Sequence, residues 1–188
     1  MDYLPESGAA ATASLHAHYR SLGELCVSWA VLDRKLTDVA SVLINRGPEV
    51  AACVFSSGEN LKPRCEAIKK LVLIEPLFSE SEWPARLTEL VNTIQNKVAP
   101  RRNRFVHDEW YVGADEIVRV QLGSRVHKEP HKSAELRYAQ FHRSSTGEVD
   151  ALIREVKTLT HQLTLVAIII TSARLVGGPV DSFWDLEA

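Results

Sequence analysis

The chain has 188 residues, of which 45% are hydrophobic and 24% are charged. This composition is typical of an ordinary soluble globular protein and excludes disordered and fibrous classes. The 22 Lys and Arg residues nearly balance the 24 Asp and Glu residues, so the formal net charge is −2. Nucleic acid would therefore have to be bound by a local basic patch, because the whole chain carries no net positive field.

The length predicts a single domain, with an ordered core over about residues 14–176. The first residues lack a basic segment followed by an apolar run, which predicts a cytoplasmic protein. The apolar stretch 163–176 is too short for a membrane span and is interpreted as a buried helix, so no membrane association is expected. The cysteines show no zinc-site spacing and are expected to be reduced structural thiols. They are Cys26, Cys53 and Cys65.

Hydrophobic residues recur at helical spacing along most of the chain. Turn and capping residues separate the helical stretches, among them Gly47-Pro48 and Ser81. The pattern predicts an all-α, up-and-down bundle of about four to five helices. The predicted helices cover residues 14–45, 48–55, about 61–74, 81–98 and 146–176.

Pro100 interrupts the third long helix just before its most basic segment. The proline nitrogen cannot donate a hydrogen bond to the carbonyl of Asn96. The helix is therefore expected either to kink at Pro100 or to restart just before Arg102, and the sequence leaves both alternatives open.

Two segments after Trp110 alternate in polarity and carry β-branched or aromatic residues, at 116–122 and 135–142. A polar stretch with Gly123 and Pro130 separates them. This pattern predicts a small β-hairpin inserted in the bundle at about residues 116–142.

The closing helix begins at Ser145-Thr146-Gly147-Glu148, which has the spacing of a capping box, and ends at Gly177-Gly178-Pro179. In its second half, Leu165, Ile168 and Ile169 fill the side that Arg154 and His161 occupy in the first half. A helix that is apolar nearly all round is expected to be covered on two sides. The cover would be either the hairpin or a second copy of the chain.

An Arg followed by a His after four to six residues occurs five times, so the spacing alone decides nothing. The pair Arg102 and His107 differs from the others because Asn103 lies four residues before His107, on the same helical face. Arg102 is about 100° away and long enough to reach the same point. A neighbouring basic face would hold an RNA backbone there. Its residues are Lys97, Arg101 and Arg104.

These side chains predict RNA cleavage by transesterification, without a metal or other cofactor. His107 would take the proton from a ribose 2′-hydroxyl or deliver one to the leaving oxygen, while Arg102 stabilises charge on the phosphate. Asn103 would orient the imidazole or the substrate. Because one imidazole does not easily serve as acid and base in one step, a second copy of the site in a homodimer would supply the other.

The same segment also fits a plain solvated helix face, with His107 packing near the helix end beside Asp108 and Glu109. A separate prediction concerns Asp33, which lies within the apolar arc of the first helix, about 40° from Trp29. A buried carboxylate there needs a cationic partner. Arg102 is the partner we expect, which would make Asp33 a support for the site, and any other Arg is the alternative.

The segment Arg102-Asn103-Arg104-Phe105-Val106-His107 resembles the mark of the HEPN superfamily (higher eukaryotes and prokaryotes nucleotide-binding domains). Members are all-helical bundles with an Arg, usually followed by a polar residue, four to six positions before a His. Asp108-Glu109-Trp110 is similar to the acidic residue and aromatic that often follow. The helical pattern extends the resemblance over most of residues 14–176, including Trp29, Leu32, Asp33, Leu36 and Lys69-Lys70.

The resemblance implies a homodimer in which the two motifs face each other. In catalytic members it implies metal-independent endoribonuclease activity in toxin–antitoxin or phage-defence systems, with a nucleotidyltransferase-type antitoxin as a further partner. Some members bind without cutting. The alternative function is therefore a non-catalytic HEPN-like dimer that binds a nucleotide, an RNA or a partner protein.

Overall fold

A computed structural model of the chain describes residues 9–55, 61–78, 81–112, 117–127 and 135–177. The architecture is an all-α bundle with a small antiparallel sheet, so the predicted fold class is confirmed. The α-helices in the described ranges are α1 Ala9–Leu43, α2 Pro48–Phe55, α3 Leu61–Ile74, α4 Trp83–Thr93, α5 Ala99–His107 and α6 Thr146–Val176. The strands are β1 Glu109–Val112, β2 Ile117–His127 and β3 Glu135–Ser144.

The chain divides into two compact units, each assembled from two separate stretches. The sheet unit comprises residues 1–26 and 101–153, and thus the start of α1, most of α5, the three strands and the first turns of α6. The helical unit comprises residues 27–100 and 154–188, and thus the rest of α1, helices α2 to α4 and most of α6.

In the sheet unit the strands pair antiparallel in the order β1-β2-β3. The predicted hairpin corresponds to β2 and β3, in which Ile117 pairs with Ser144, with a shift of register between Leu122 and Arg125. The sequence analysis missed β1, whose Trp110 pairs with Arg119. A strand of only four residues is too short to show a clear alternation, and β1 begins directly after the end of α5.

The helical unit is built around the apolar faces of its long helices. Each fully buried aliphatic side chain contributes about 1.5–3 kcal/mol relative to an exposed one. The buried set includes Leu32, Leu36, Val39, Ile68, Val72, Leu87, Val91, Leu163 and Ile170. Cys65 belongs to this core, where burial raises the pKa of its thiol to about 11. Cys26 and Cys53 are also free thiols, but they are exposed.

The C-terminal end of α1 is closed by a Schellman motif and by a distant arginine. Asn45 adopts a positive φ of 52°, and the N–H of Arg46 donates to the carbonyl of Ser41 at 3.2 Å. The Arg174 guanidinium donates to the carbonyls of Val42 and Leu43 and also pairs with the Glu75 carboxylate. The helix therefore ends at Leu43, before the predicted stop at Gly47-Pro48, because the left-handed conformation of Asn45 breaks the right-handed helical path.

The predicted ends of α6 are confirmed in the described residues. The Ser145 hydroxyl accepts a hydrogen bond from the Glu148 N–H at 3.3 Å, as in a capping box. The Glu148 carboxylate, however, accepts from the Ser144 hydroxyl at 2.6 Å. At the other end Gly177 has a φ of 69° and donates its N–H to the carbonyl of Ala173 at 2.9 Å.

The second half of α6 buries one face and exposes another. Ile170 and Ala173 are fully buried, whereas Ile168 is 55% exposed. On the second side, the described residues of a single chain bury Ile169, which is 8% exposed, but leave Ile168 uncovered. By length and composition α6 would also suffice to cross a membrane, a property that it shares with core helices of soluble proteins.

Candidate functional site

Helix α5 follows a π turn at Ile94–Val98, and the backbone stays helical from Trp83 through His107. In this turn the N–H of Ala99 donates to the carbonyl of Ile94, five residues back. The wider turn accommodates the Pro100 ring, which would otherwise clash within a regular helix. The helix therefore does not restart before Arg102, and the irregularity that Pro100 predicts takes the form of a π turn.

The predicted catalytic residues all lie on α5. The Arg102 guanidinium donates to the Asn103 amide oxygen at 3.1 Å, so the structure brings these two side chains together. His107 is the last residue of the helix, and its side chain is exposed. Asn103 is also exposed, whereas Arg102 is half-buried. Asn103 thus contacts the guanidinium, where the sequence analysis expected it to orient the imidazole or the substrate.

The predicted RNA-binding residues are exposed. Arg101 and Arg104 lie on α5, and Lys97 lies in the π turn. Arg104 lies in the last turn of α5, where a cationic side chain interacts favourably with the negative end of the helix dipole. On α5 itself, the exposed Arg101 and Arg104 provide a local basic surface of the kind that a nearly neutral chain needs in order to bind a polyanion.

The two acidic residues after His107 have other partners. Asp108 pairs with Arg119 of β2 at 3.3 Å, and both side chains are largely buried. The Glu109 carboxylate accepts from the Tyr111 hydroxyl at 2.7 Å, and this hydrogen bond raises the pKa of Tyr111. These contacts account for the two carboxylates only, and the exposed His107 fits a solvated helix face as well as it fits a site.

An aromatic stack supports the end of α5 from the sheet side. The Trp110 indole N–H donates to the carbonyl of Phe105 at 2.9 Å, and the two rings stack with centroids 5.9 Å apart. The Arg119 guanidinium lies 5.1 Å from the centre of the Phe105 ring. In the sequence, Trp110 stands out only as part of the family resemblance, and Arg119 does not stand out at all. Only the aromatic character of the residues that flank His107 hinted at this support.

His18 of α1 completes the stack and was not singled out from the sequence. Its ring is fully buried and meets the Trp110 ring edge-on at 4.3 Å. Its Nδ1 lies 3.4 Å from the Thr146 hydroxyl. Burial lowers the pKa of His18, while the nearby Asp150 carboxylate acts in the opposite direction. Nothing local in the sequence distinguishes His18 from the exposed His16 except its place on the helix.

Asp33 differs from its prediction in burial and in partner. Its side chain is 39% exposed, so the prediction of a buried carboxylate is wrong. The partner that the structure gives it is Arg64 of α3, at 2.5 Å, where the sequence analysis named Arg102. Arg64 is an alternative that was left open, because residues 31 positions apart meet only through packing.

A metal site and a ligand cavity are two further kinds of site that the described residues could provide. No three His, Cys, Asp or Glu side chains among them form a group suited to a metal ion. In the helical unit, α4 and α6 line a groove with a volume of about 450 Å³. Its apolar wall includes Trp83, Leu87 and Val166. None of its lining residues belongs to the predicted site.

The chain has no match among protein-family models, curated proteins or solved structures. The resemblance to the HEPN superfamily therefore stays a prediction, based on residues 102–110 and the helical pattern.

Proposed function

We propose that the protein is a metal-independent endoribonuclease whose site contains Arg102, Asn103 and His107. The observation that carries this proposal is the hydrogen bond from Arg102 to Asn103 on the same helix as an exposed His107. The hydrogen bond restricts the guanidinium, so that it is preorganised to stabilise charge on a phosphate. The family resemblance supports the same function by analogy, which is a weaker argument than geometry.

The reaction is transesterification within the RNA chain. The ribose 2′-oxygen loses its proton and forms a bond to the adjacent phosphorus, while the bond from phosphorus to the 5′-oxygen breaks. His107 transfers a proton either from the 2′-hydroxyl or to the departing 5′-oxygen. Arg102 stabilises the charge on the phosphate oxygens. The products are a 2′,3′-cyclic phosphate and a 5′-hydroxyl.

The proposal includes a homodimer, in which the second His107 supplies the other proton-transfer group. The exposed apolar residues of α6, which include Ile168 and Leu175, support an interface that the described residues of a single chain do not fill. A nucleotidyltransferase-type antitoxin and a cytoplasmic location are further parts of the proposal. The antitoxin follows from the family resemblance.

The test uses the purified full-length protein, total cellular RNA and an excess of EDTA. We expect cleavage that leaves 2′,3′-cyclic phosphate ends, and we expect His107→Ala to abolish it while the protein still dimerises. His161→Ala is the matched control, because His161 is also an exposed helical histidine. Absence of cleavage, or cleavage that survives His107→Ala, would refute the nuclease. Growth arrest on expression of the wild type, relieved by His107→Ala, would extend the result to cells.

The alternative is non-catalytic binding of a nucleotide, an RNA or a partner protein by the same basic face. It predicts that His107→Ala leaves binding intact. It also predicts that substitutions of Arg101 and Arg104 weaken RNA binding and reduce its dependence on salt. A purely structural dimer predicts no effect from either set of substitutions.

A further inference from the structure

His18 is a titratable side chain that the proposed reaction does not use. It is fully buried, and its Nε2 has no hydrogen-bond partner among the described residues. The Thr146 hydroxyl, 3.4 Å from Nδ1, is the oxygen that contacts the ring. A neutral imidazole has one N–H donor, but the protonated ring has two. Protonation would therefore leave a buried donor, and a buried charge, without a matching acceptor.

The ring of His18 packs directly against the side chain that closes α5. Trp110 satisfies the Phe105 carbonyl, which is one of the last four of the helix and has no partner within it. The edge-on contact with His18 at 4.3 Å therefore buttresses this indole. The last turn of α5, which ends at His107, is thus capped by the Trp110 indole N–H, and the Trp110 ring packs against the titratable ring of His18.

We propose that His18 and Trp110 form a pH-sensitive latch, in which protonation of His18 releases Trp110 and loosens the last turn of α5. The latch is a property of the sheet unit alone. It also regulates the proposed nuclease, because His107 lies on the turn that loosens, and this second statement rests on the proposed function.

The groups around His18 act in both directions. Asp150 of α6 favours the protonated ring, and it is itself bound by the Ser21 hydroxyl at 2.7 Å. Arg119, whose guanidinium lies 5.1 Å from the centre of the Phe105 ring, pairs with Asp108, so the opposite charges of these two residues largely offset each other. Burial is the larger influence on His18 and lowers its pKa.

The sign of the pH effect follows from this direction. A histidine whose pKa is lowered in the closed state binds fewer protons there than when it is released. The latch is therefore fully closed above the ordinary histidine pKa of about 6.5. It weakens as the pH falls from there to the lowered pKa of His18, by about tenfold per pH unit in its opening constant.

NMR on the full-length protein between about pH 8 and pH 5 measures both parts of the latch. The Asp108 N–H donates to the Arg104 carbonyl at 3.0 Å and so reports the end of α5. Its hydrogen-exchange protection factor is expected to fall about tenfold per pH unit below about pH 6.5. The Asn45 amide, at the end of α1, is the internal reference and should keep its protection factor.

The decisive variant is His18→Gln, which removes the titrating ring and should make the protection of the Asp108 amide independent of pH. His16→Gln is the matched control, since His16 lies two residues earlier on the same helix and is exposed. If His18→Gln does not fold, Asp150→Asn is the variant that replaces it in the test. It should move the titration midpoint of the His18 ring to lower pH, because it removes the carboxylate that favours protonation.

Protection that does not change with pH, or that changes equally in His18→Gln, overturns the latch. An unmoved His18 midpoint in Asp150→Asn overturns it as well. The nuclease is judged separately, by RNA cleavage with and without His107→Ala. If the protein cuts no RNA but the Asp108 amide loses protection at low pH, the latch is supported and the proposed nuclease function is refuted.

Discussion

The C-terminal ends of α1 and α5 are both closed by a side chain from outside the helix, but by different chemistry. At α1, in the helical unit, Arg174 donates to two backbone carbonyls and pairs with Glu75, which is 8% exposed. At α5, in the sheet unit, the neutral indole of Trp110 donates to one carbonyl and rests against His18.

The difference shows which helix end is insensitive to pH and which end is sensitive to it. A guanidinium stays charged at every pH at which proteins fold, and its hydrogen bonds are strengthened by charge. A neutral indole makes one ordinary hydrogen bond, whose strength depends on how firmly its ring is packed. The bonds that close α1 therefore do not change with pH, whereas those that close α5 depend on the protonation of His18.

The largest expected effect comes from removing the charge at α1. Arg174→Met keeps much of the apolar stem but leaves Glu75 as a buried charge without its partner. We expect the free energy of unfolding to fall by about 3–5 kcal/mol, measured by urea denaturation. Arg154→Met, at an exposed position of the same helix, should change it by no more than about 0.5 kcal/mol. A loss as small as that of the control would mean that the Schellman motif alone closes α1.

A smaller effect is expected from removing the neutral donor at α5. Trp110→Phe keeps an aromatic ring against His18 and Phe105 but removes the indole N–H. The Phe105 carbonyl then lacks its donor, which costs about 1–3 kcal/mol. Hydrogen exchange at the Asp108 amide should accelerate while the Asn45 amide is unchanged. Equal exchange in Trp110→Phe and wild type would show that the hydrogen bond does not hold the end of α5.

The smallest effect belongs to an ion pair away from both helix ends. Asp33→Asn weakens the contact with Arg64, and because Asp33 is 39% exposed we expect a loss of only about 1 kcal/mol in urea denaturation. Asp38→Asn, which affects a pair within α1, is the control and should cost about 0.3–0.5 kcal/mol. Unchanged RNA cleavage in the folded Asp33→Asn protein would dismiss Asp33 as a support for the proposed site.

The helices were largely predictable because their signals are local. Apolar spacing located the helical stretches, and the Ser145 cap and the Gly177 stop were both read correctly. The π turn before Pro100 was not predicted, because a proline indicates that a helix must adjust but not how. Strand β1 was also missed, since its pairing with β2 depends on residues that follow it in the chain.

The candidate site was predictable only in part, for the same reason. Arg102, Asn103 and His107 share one helix, so helical geometry could group them. The Asp33 partner and the contact of His18 with Trp110 depend on packing between residues 31 and 92 positions apart, for which the sequence contains no local signal. The sequence therefore grouped the candidate residues on one helix, but it did not predict these packing contacts.

Because Cys65 is buried, the rate at which its thiol is alkylated can report the opening of the helical unit. With a thiol pKa of about 11, only about one molecule in a thousand carries the reactive thiolate at pH 8, and the folded core shields even that fraction. An alkylating reagent would label the exposed Cys26 and Cys53 rapidly. It would label Cys65 only when the core opens. The rate at which Cys65 is labelled would report the opening of the helical unit under native conditions, with no denaturant and no engineered probe.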